Sequence, residues 1–242
     1  MSVNNELAYV LHTRKYRETS QLVDLFSRNE GRFRVVARGS RTKKNPRITL
    51  QPFRPLLASW RGKSDLKTLT DYEYVGSSEL PQGKALYIGF YINELLTRLL
   101  AEYIPHQNLF DQYARLVTIL GHSTALEPEL RIFELSLLDE MGYGLNLYAD
   151  SLDGSGLDLH CDYLFRPGEG FSKVDNNTGQ VRQNIYSGAH LLAIAEHRFD
   201  NEFVLQSAKR LMRAALALHL GARPLHSREL FKQATSIYGK TS

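Results

Sequence analysis

The sequence holds one cysteine, one tryptophan and three methionines in 242 residues, and no long apolar run free of charged side chains. Cys161 alone cannot close an internal disulfide. Nor can it supply the four cysteines, or two cysteines with two histidines, of a structural zinc site, so a reducing, cytoplasmic setting is expected. The most apolar stretch, Ala85 to Ile104, has the length of a membrane span but contains Asn93, Glu94, Arg98 and Glu102. It reads as a buried helix of a soluble chain, with no membrane contact. The first residues, Met1 to Glu6, lack the basic start and apolar stretch of a signal peptide. Seventeen glycines and eight prolines are too few for a collagen-like or low-complexity chain. The length suits one large domain or two small ones.

Catalytic signatures are lacking too. There is no P-loop and no G-x-S-x-G, and Gly168-Glu-Gly170 lacks the continuation of a dinucleotide site, so it reads as a turn. Asp150, Asp153, Asp158 and Asp162 miss the register of a calcium loop and read as a solvated acidic loop. His160 and Cys161 are adjacent, a poor geometry for chelating one tetrahedral metal, and Cys161 reads as a small buried hydrophobe. No metal, cofactor or catalytic residue is expected, and the chain is read as not an enzyme.

What is present is charge, unevenly placed. The net charge of +4 conceals +7 over residues 1–80, −8 over 81–197 and +5 over 198–242. Such a split confines polyanion contact to particular surfaces. The first boundary coincides with a change of period. Leu7–His12, Gln21–Phe26, Arg32–Ala37, Pro55–Trp60 and Leu66–Asp71 are strand-length and rich in apolar or β-branched residues. Turn chemistry lies at Asn29-Glu-Gly31 and Arg61-Gly-Lys-Ser-Asp65. Five short strands in so short a span predict a small closed barrel such as an OB-fold, a shape that often binds nucleic acid.

From about residue 82 apolar side chains recur at three and four: Ile88, Ile92, Leu95, Leu99, Tyr103; then Leu109, Tyr113, Leu116, Leu120; then Leu130, Phe133, Leu137, Met141. These spacings predict three amphipathic helices. Further helices are expected over Ala189–Glu196 and Phe203–Leu220, and a short one with Ser227 as its N-cap. Gly121, Gly142 and Gly144 mark expected helix stops. After them, Leu145–Arg182 is acidic and glycine-rich, with turn signals at Asp153-Gly154, Pro167-Gly168 and Asn177-Thr-Gly179. It predicts an irregular insert with one hairpin. The domains are therefore 1–80, a nucleic-acid-binding barrel, and 81–242, helical, with the insert at about 145–182.

The strongest functional signal is a basic run: Arg28, Arg32, Arg34, Arg38, Arg41, Lys43, Lys44, Arg47 and Arg54 against one acid, Glu30. On a strand, Arg32, Arg34 and Arg38 share one face and Phe33, Val35 and Ala37 the other. Phosphate binding needs cations spaced along a groove, which this stripe and its basic loop provide. The alternative is a solvated basic face without a ligand. Tyr16, Phe33, Phe53 and Trp60 are candidate stacking aromatics, at least half of them expected in the core. Lys209, Arg210 and Arg213 cluster on a helix, followed by Arg223, and form either a solvated face or a second phosphate patch. With Arg14 and Lys15, the candidate DNA contacts are Arg14, Lys15, Arg32, Arg34, Arg38, Arg41, Lys43, Lys44, Arg47, Lys209, Arg210 and Arg213. Arg131, beside an apolar helical stripe, suits capture of a peptide carboxylate. Pairing with Glu134 or Glu127 is the ordinary alternative.

Six segments in order resemble the bacterial recombination mediator family RecO: Tyr9-Val-Leu-His-Thr-Arg14 with Glu18-Thr-Ser20, Gly31 to Gly39, Gln51-Pro-Phe53, Leu86 to Leu96, Arg131 to Tyr143, and Ser227-Arg-Glu-Leu-Phe231. The resemblance implies an N-terminal OB barrel, then a helical domain with a small zinc-ribbon-like insert. Some members hold zinc there with four cysteines; only Cys161 stands here, so no metal is carried over. It further implies binding of single- and double-stranded DNA, annealing of complementary strands and, with RecR, loading of RecA onto DNA coated by single-stranded-DNA-binding protein. It implies that Arg131 contacts the acidic tail of that coating protein. A monomer is expected. Two other readings of a basic barrel are a protein-interaction adaptor with an acidic partner and an RNA-binding factor.

Overall fold

The computed structural model describes residues 2–39, 50–76, 79–123, 125–174 and 184–238, with side chains as far as Gln233. The chain packs as two compact units, Met1–Thr124 with Pro224–Ser242, and Ala125–Arg223.

In the first unit β1 (Ser2–Tyr16), β2 (Ser20–Ser27), β3 (Gly31–Ala37), β4 (Pro55–Arg61) and β5 (Lys67–Tyr74) close a barrel in the order β1-β2-β3-β5-β4. This is the expected OB connectivity: β1 pairs β4 through its first half and β2 through its second, and a short parallel β3–β5 pairing completes the ring. The alternation read from β3 holds. Phe33, Val35 and Ala37 are buried with Val10, Val23, Leu25, Leu56 and Trp60 in the barrel core. β1 runs four residues beyond His12, where the sequence-predicted strand stopped. Over that extension Arg14 and Lys15 are exposed, so the strand carries no apolar pattern there and is held by its pairing to Gln21 and Leu22.

The helices α1 (Gly83–Leu99) and α2 (Gln107–His122) follow. Tyr9 and Phe26, on the outer face of β1 and β2, meet Phe110 and Tyr113 of α2 with ring centroids 5.1 to 6.0 Å apart. Asn93 of α1 is buried with both ends of its amide bonded: its Nδ2 donates to the Leu11 carbonyl at 2.9 Å, and its Oδ1 accepts from the Tyr113 hydroxyl at 2.8 Å. Such satisfied polar contacts fix one arrangement where apolar packing alone tolerates several.

Two expectations need correction here. The three-four spacing carries the first helix to Tyr103, yet α1 ends at Leu99. β5 pairs with β3 only over Val35–Ala37, which leaves the start of β3 an open edge, and the backbone after α1 fills it: Glu102 bridges Arg32, and the Tyr103 N–H donates to the Arg32 carbonyl at 2.8 Å. Ser227 is not an N-cap but lies inside α6 (His226–Tyr238). The Glu94 carboxylate of α1 does the capping instead, accepting from the His226 N–H, the Ser227 N–H and the Ser227 hydroxyl at 2.7 to 2.9 Å. Partial burial acts to raise the Glu94 pKa, but the Ser227 and His226 donors and Arg98 outweigh it and hold the carboxyl below its ordinary value.

The second unit holds α3 (Leu126–Glu140), α4 (Gly188–Ala195) and α5 (Glu202–Leu220), with a sheet of order β7-β6-β8 formed by β6 (Asp162–Arg166), β7 (Gly170–Lys173) and β8 (Ile185–Ser187). The expected hairpin is β6–β7; β8, three residues long, gave no readable pattern. The turn signal at Asn177–Gly179 lies outside the described residues. Gly142 follows α3 with φ +79°, as a helix stop should, whereas Gly121 sits inside α2. Asp150 is not part of a solvated loop: it is buried and accepts from the Leu152 and Lys173 N–H groups, each at 2.8 Å. Cys161 is partly exposed rather than buried, with its Sγ 3.5 Å from an Asp158 carboxylate oxygen. Among the described residues no group of three His, Cys, Asp or Glu side chains could hold a metal ion, and no helix is long and apolar enough to cross a membrane.

Candidate nucleic-acid interface

The outward row of β3 carries the predicted cations, but two of them bind protein. Arg32 is only 12% exposed and reaches Asp24 at 3.2 Å and Glu102 at 3.4 Å, while its Nε donates to the Leu100 carbonyl at 3.0 Å. Arg34 pairs with the same Glu102 at 2.9 Å and stays partly exposed. The alternation thus placed both on the outer face correctly, but the segment after α1 returns to neutralise them, and the continuous stripe is broken. Burial, the largest influence on Asp24, holds its carboxyl above the ordinary value against the pull of Arg32, His12, Arg34 and Arg14.

The exposed cations lie further along. Arg14 and Lys15 stand on the extension of β1, and Arg38 just past β3. Arg14 and Arg38 each line one of two adjoining grooves at the barrel mouth, whereas Lys15 lines neither. One, of about 330 Å³, is lined by Arg14, Tyr16, Leu22, Arg34, Asp65, Leu66 and Glu102. The other, of about 680 Å³, is lined by Tyr16, Arg17, Glu18, Thr19, Ser20, Val36, Arg38, Leu66 and Thr68. Tyr16 and Leu66 belong to both. The walls come from the β1–β2 and β4–β5 connections and the face of β2 and β3, the surface on which OB barrels take oligonucleotides. Arg17 was missed from the sequence, although a basic residue in the β1–β2 turn of a predicted OB barrel is itself a signal.

Other predicted residues scatter. Arg41, Lys43, Lys44 and Arg47 lie outside the described residues. Arg28 makes a two-pronged pair with Asp111 at 3.0 and 3.1 Å, and Arg54 stacks over the Tyr74 ring at 4.1 Å. Of the candidate stacking aromatics, Phe33, Phe53 and Trp60 are core residues and Tyr16 is half-buried in the grooves.

In the second unit, Lys209 lies 3.9 Å from Glu127, Arg210 stacks on the Tyr186 ring at 4.9 Å, and Arg213 is exposed on the same helix. Arg131 of α3 is buried, with 6% of its side chain exposed, and its Nη1 lies 2.8 Å from Oε2 of the still more buried Glu134. The apolar stripe expected beside it as an open groove, Leu130, Phe133 and Leu137, is core. The Arg131 Nε has no hydrogen-bond partner among the described residues.

The sequence of this chain has known relatives. The family model for the N-terminal part of recombination protein O matches residues 1–78, and that for its C-terminal part matches 80–229. A DNA repair protein RecO of Haemophilus influenzae is 44% identical over 227 residues, covering 93% of this chain and 94% of that protein. Its namesake in Pseudomonas aeruginosa is 43% identical over 226 residues, covering 93% and 94%, and that of Glaesserella parasuis is 43% identical over 228 residues, covering 93% of each. Matched in series over nearly its whole length, the chain belongs to the recombination protein O family.

Proposed function

We propose that this DNA repair protein works as a recombination mediator that binds single- and double-stranded DNA on its barrel and anneals complementary strands. With RecR, it helps RecA onto DNA covered by single-stranded-DNA-binding protein. The observation that carries the reading is the groove pair at the barrel mouth, lined by Arg14, Arg17 and Arg38, with Lys15 exposed next to Arg14 on β1. Two strands repel one another; a cationic surface that neutralises phosphates on both lets base pairing drive their union. No covalent bond changes, so the chain acts as a charge screen and scaffold rather than as an enzyme. In this reading residues 1–80 are the DNA-binding domain, 81–242 the helical domain, and the cytoplasm, at the nucleoid, the place of action.

Tail capture is assigned to Arg131. A buried guanidinium with an unpartnered Nε is costly, and an incoming carboxylate relieves that cost. Holding the coating protein's tail would keep the barrel near DNA at a high local concentration. Lys209, Arg210 and Arg213 then offer a secondary phosphate contact, of which Arg210 and Arg213 are exposed.

The barrel assignment is tested by titrating a single-stranded oligonucleotide at increasing salt. Replacing Arg14, Lys15 and Arg38 together by glutamine should weaken binding for every sequence. It should also flatten the slope of log affinity against log salt by about 0.7 per lost phosphate contact. A slope equal to that of the unaltered protein would remove these residues from the interface.

A further inference from the structure

We infer that Tyr16 is a stacking platform for an unpaired base, so that the barrel-mouth grooves take single strands by their bases and leave the phosphates outside. The inference rests on the barrel being a DNA-binding surface, and it assigns what the grooves themselves recognise.

Four observations converge. First, the aromatic side chains Phe33, Phe53 and Trp60 are buried to 3% exposure or less, so none can meet a ligand, while Tyr16 is half-buried and lines both grooves. Second, a ring face of Tyr16 already receives a planar cation: the Arg17 guanidinium lies 5.3 Å from the ring centroid. Such a face accepts a base equally well, and the guanidinium can cover the base from the other side. Third, Tyr16 is held by the scaffold rather than by a loop, as the last residue of β1, paired in register with Ser20 at the start of β2. A fixed platform loses little freedom on binding.

The fourth observation is the charge inside the grooves. Glu18 lines the larger groove, and Asp65 and Glu102 line the smaller. Glu18 and Asp65, beside a Glu102 already paired with Arg32 and Arg34, make a poor channel for phosphates. They suit the donor groups on base edges, the exocyclic amines and, in thymine, the N3–H, from which a carboxylate accepts a hydrogen bond. The phosphates then follow the exposed cations Arg14 and Arg38 at the groove edges. A duplex keeps its base faces stacked inside, so it cannot enter this way and must be held by rim cations alone.

The test compares a thymidine oligonucleotide with an abasic chain of the same length and phosphate number, by anisotropy, on the full chain. The intact protein should prefer the thymidine strand by about five- to a hundredfold. Tyr16→Ala should bring thymidine affinity down to that of the abasic chain with no change in salt slope, and Tyr16→Phe should keep the preference. Thermal unfolding of each variant separates a folding defect from a lost contact, and Tyr16→Trp offers a direct readout, since its fluorescence should be quenched by the thymidine strand and not by the abasic one. Equal binding of both strands by the intact protein, or a preference that survives Tyr16→Ala, overturns the platform while leaving DNA binding by the barrel standing. Binding of neither strand overturns the platform together with the reading on which it rests.

Discussion

Arg131→Ala is expected to weaken binding of an acidic peptide ending in a free carboxylate by about thirtyfold or more, while affinity for naked DNA stays within about twofold. The size follows from what is lost, a desolvated charge pair between guanidinium and carboxylate, whose removal at interfaces costs about 2 to 5 kcal/mol. The variant has a structural side effect that must be separated. Glu134 is 1% exposed and lies against Arg131, so the alanine variant leaves a carboxylate buried without that counter-charge, at a cost of about 3 to 5 kcal/mol in stability. Arg131→Met combined with Glu134→Gln removes both charges and preserves volume. It should fold more stably than the single variant and still fail to bind the peptide. Glu134→Gln alone releases Arg131 from its neighbour and should bind the peptide at least as tightly as the natural protein. Peptide binding retained by the Met/Gln double variant would show that the carboxylate goes elsewhere.

Gly31→Ala should cost the barrel about 3 to 5 kcal/mol and lower its melting temperature by about 8 °C or more. Gly31 opens β3 with φ +71°, and a Cβ placed there would lie 1.9 Å from the Ile104 carbonyl oxygen and 2.6 Å from its carbon. Backbone cannot yield as a side chain can. Gly142→Ala is the internal comparison: its φ is +79°, but a Cβ there meets nothing within 4 Å, so only the left-handed backbone penalty of about 1 kcal/mol applies. Equal costs at the two positions would mean that the segment after α1 does not lie against β3. That contact also bears on function, because Glu102, carried by the same segment, is what occupies Arg32 and Arg34.

These two sites show what could and could not be read from residue order. Phe33, Val35 and Ala37 alternate with arginines, and that period fixes which face enters the barrel whatever the rest of the chain does. It says nothing of partners. Asp24 and Glu102 lie 8 and 70 residues from Arg32, so the loss of that cation from the stripe is a tertiary fact. The same holds for Glu94, which caps α6 from 133 residues away and takes the role that local pattern gave to Ser227. The end of α1 at Leu99 was not readable, since Pro105, six residues on, permits a helix as far as Tyr103. Nor was the β1 extension, because both Arg14 and Lys15 face solvent there and the alternation has nothing to alternate with. Arg131 showed the reverse difficulty: its place on an apolar stripe was plain, but its burial against Glu134 depends on packing within the second unit.

In the proposed function a cationic barrel screens two strands while a separate carboxylate-binding site brings it to coated DNA. The most direct measurement is the rate at which complementary strands, each coated with single-stranded-DNA-binding protein with its acidic tail intact or deleted, anneal when this protein is added. Annealing should be fast with the tail and fall markedly without it, while naked strands anneal at the same rate in either case. Equal rates on tailed and tailless coats, or no acceleration of naked strands, would contradict the account.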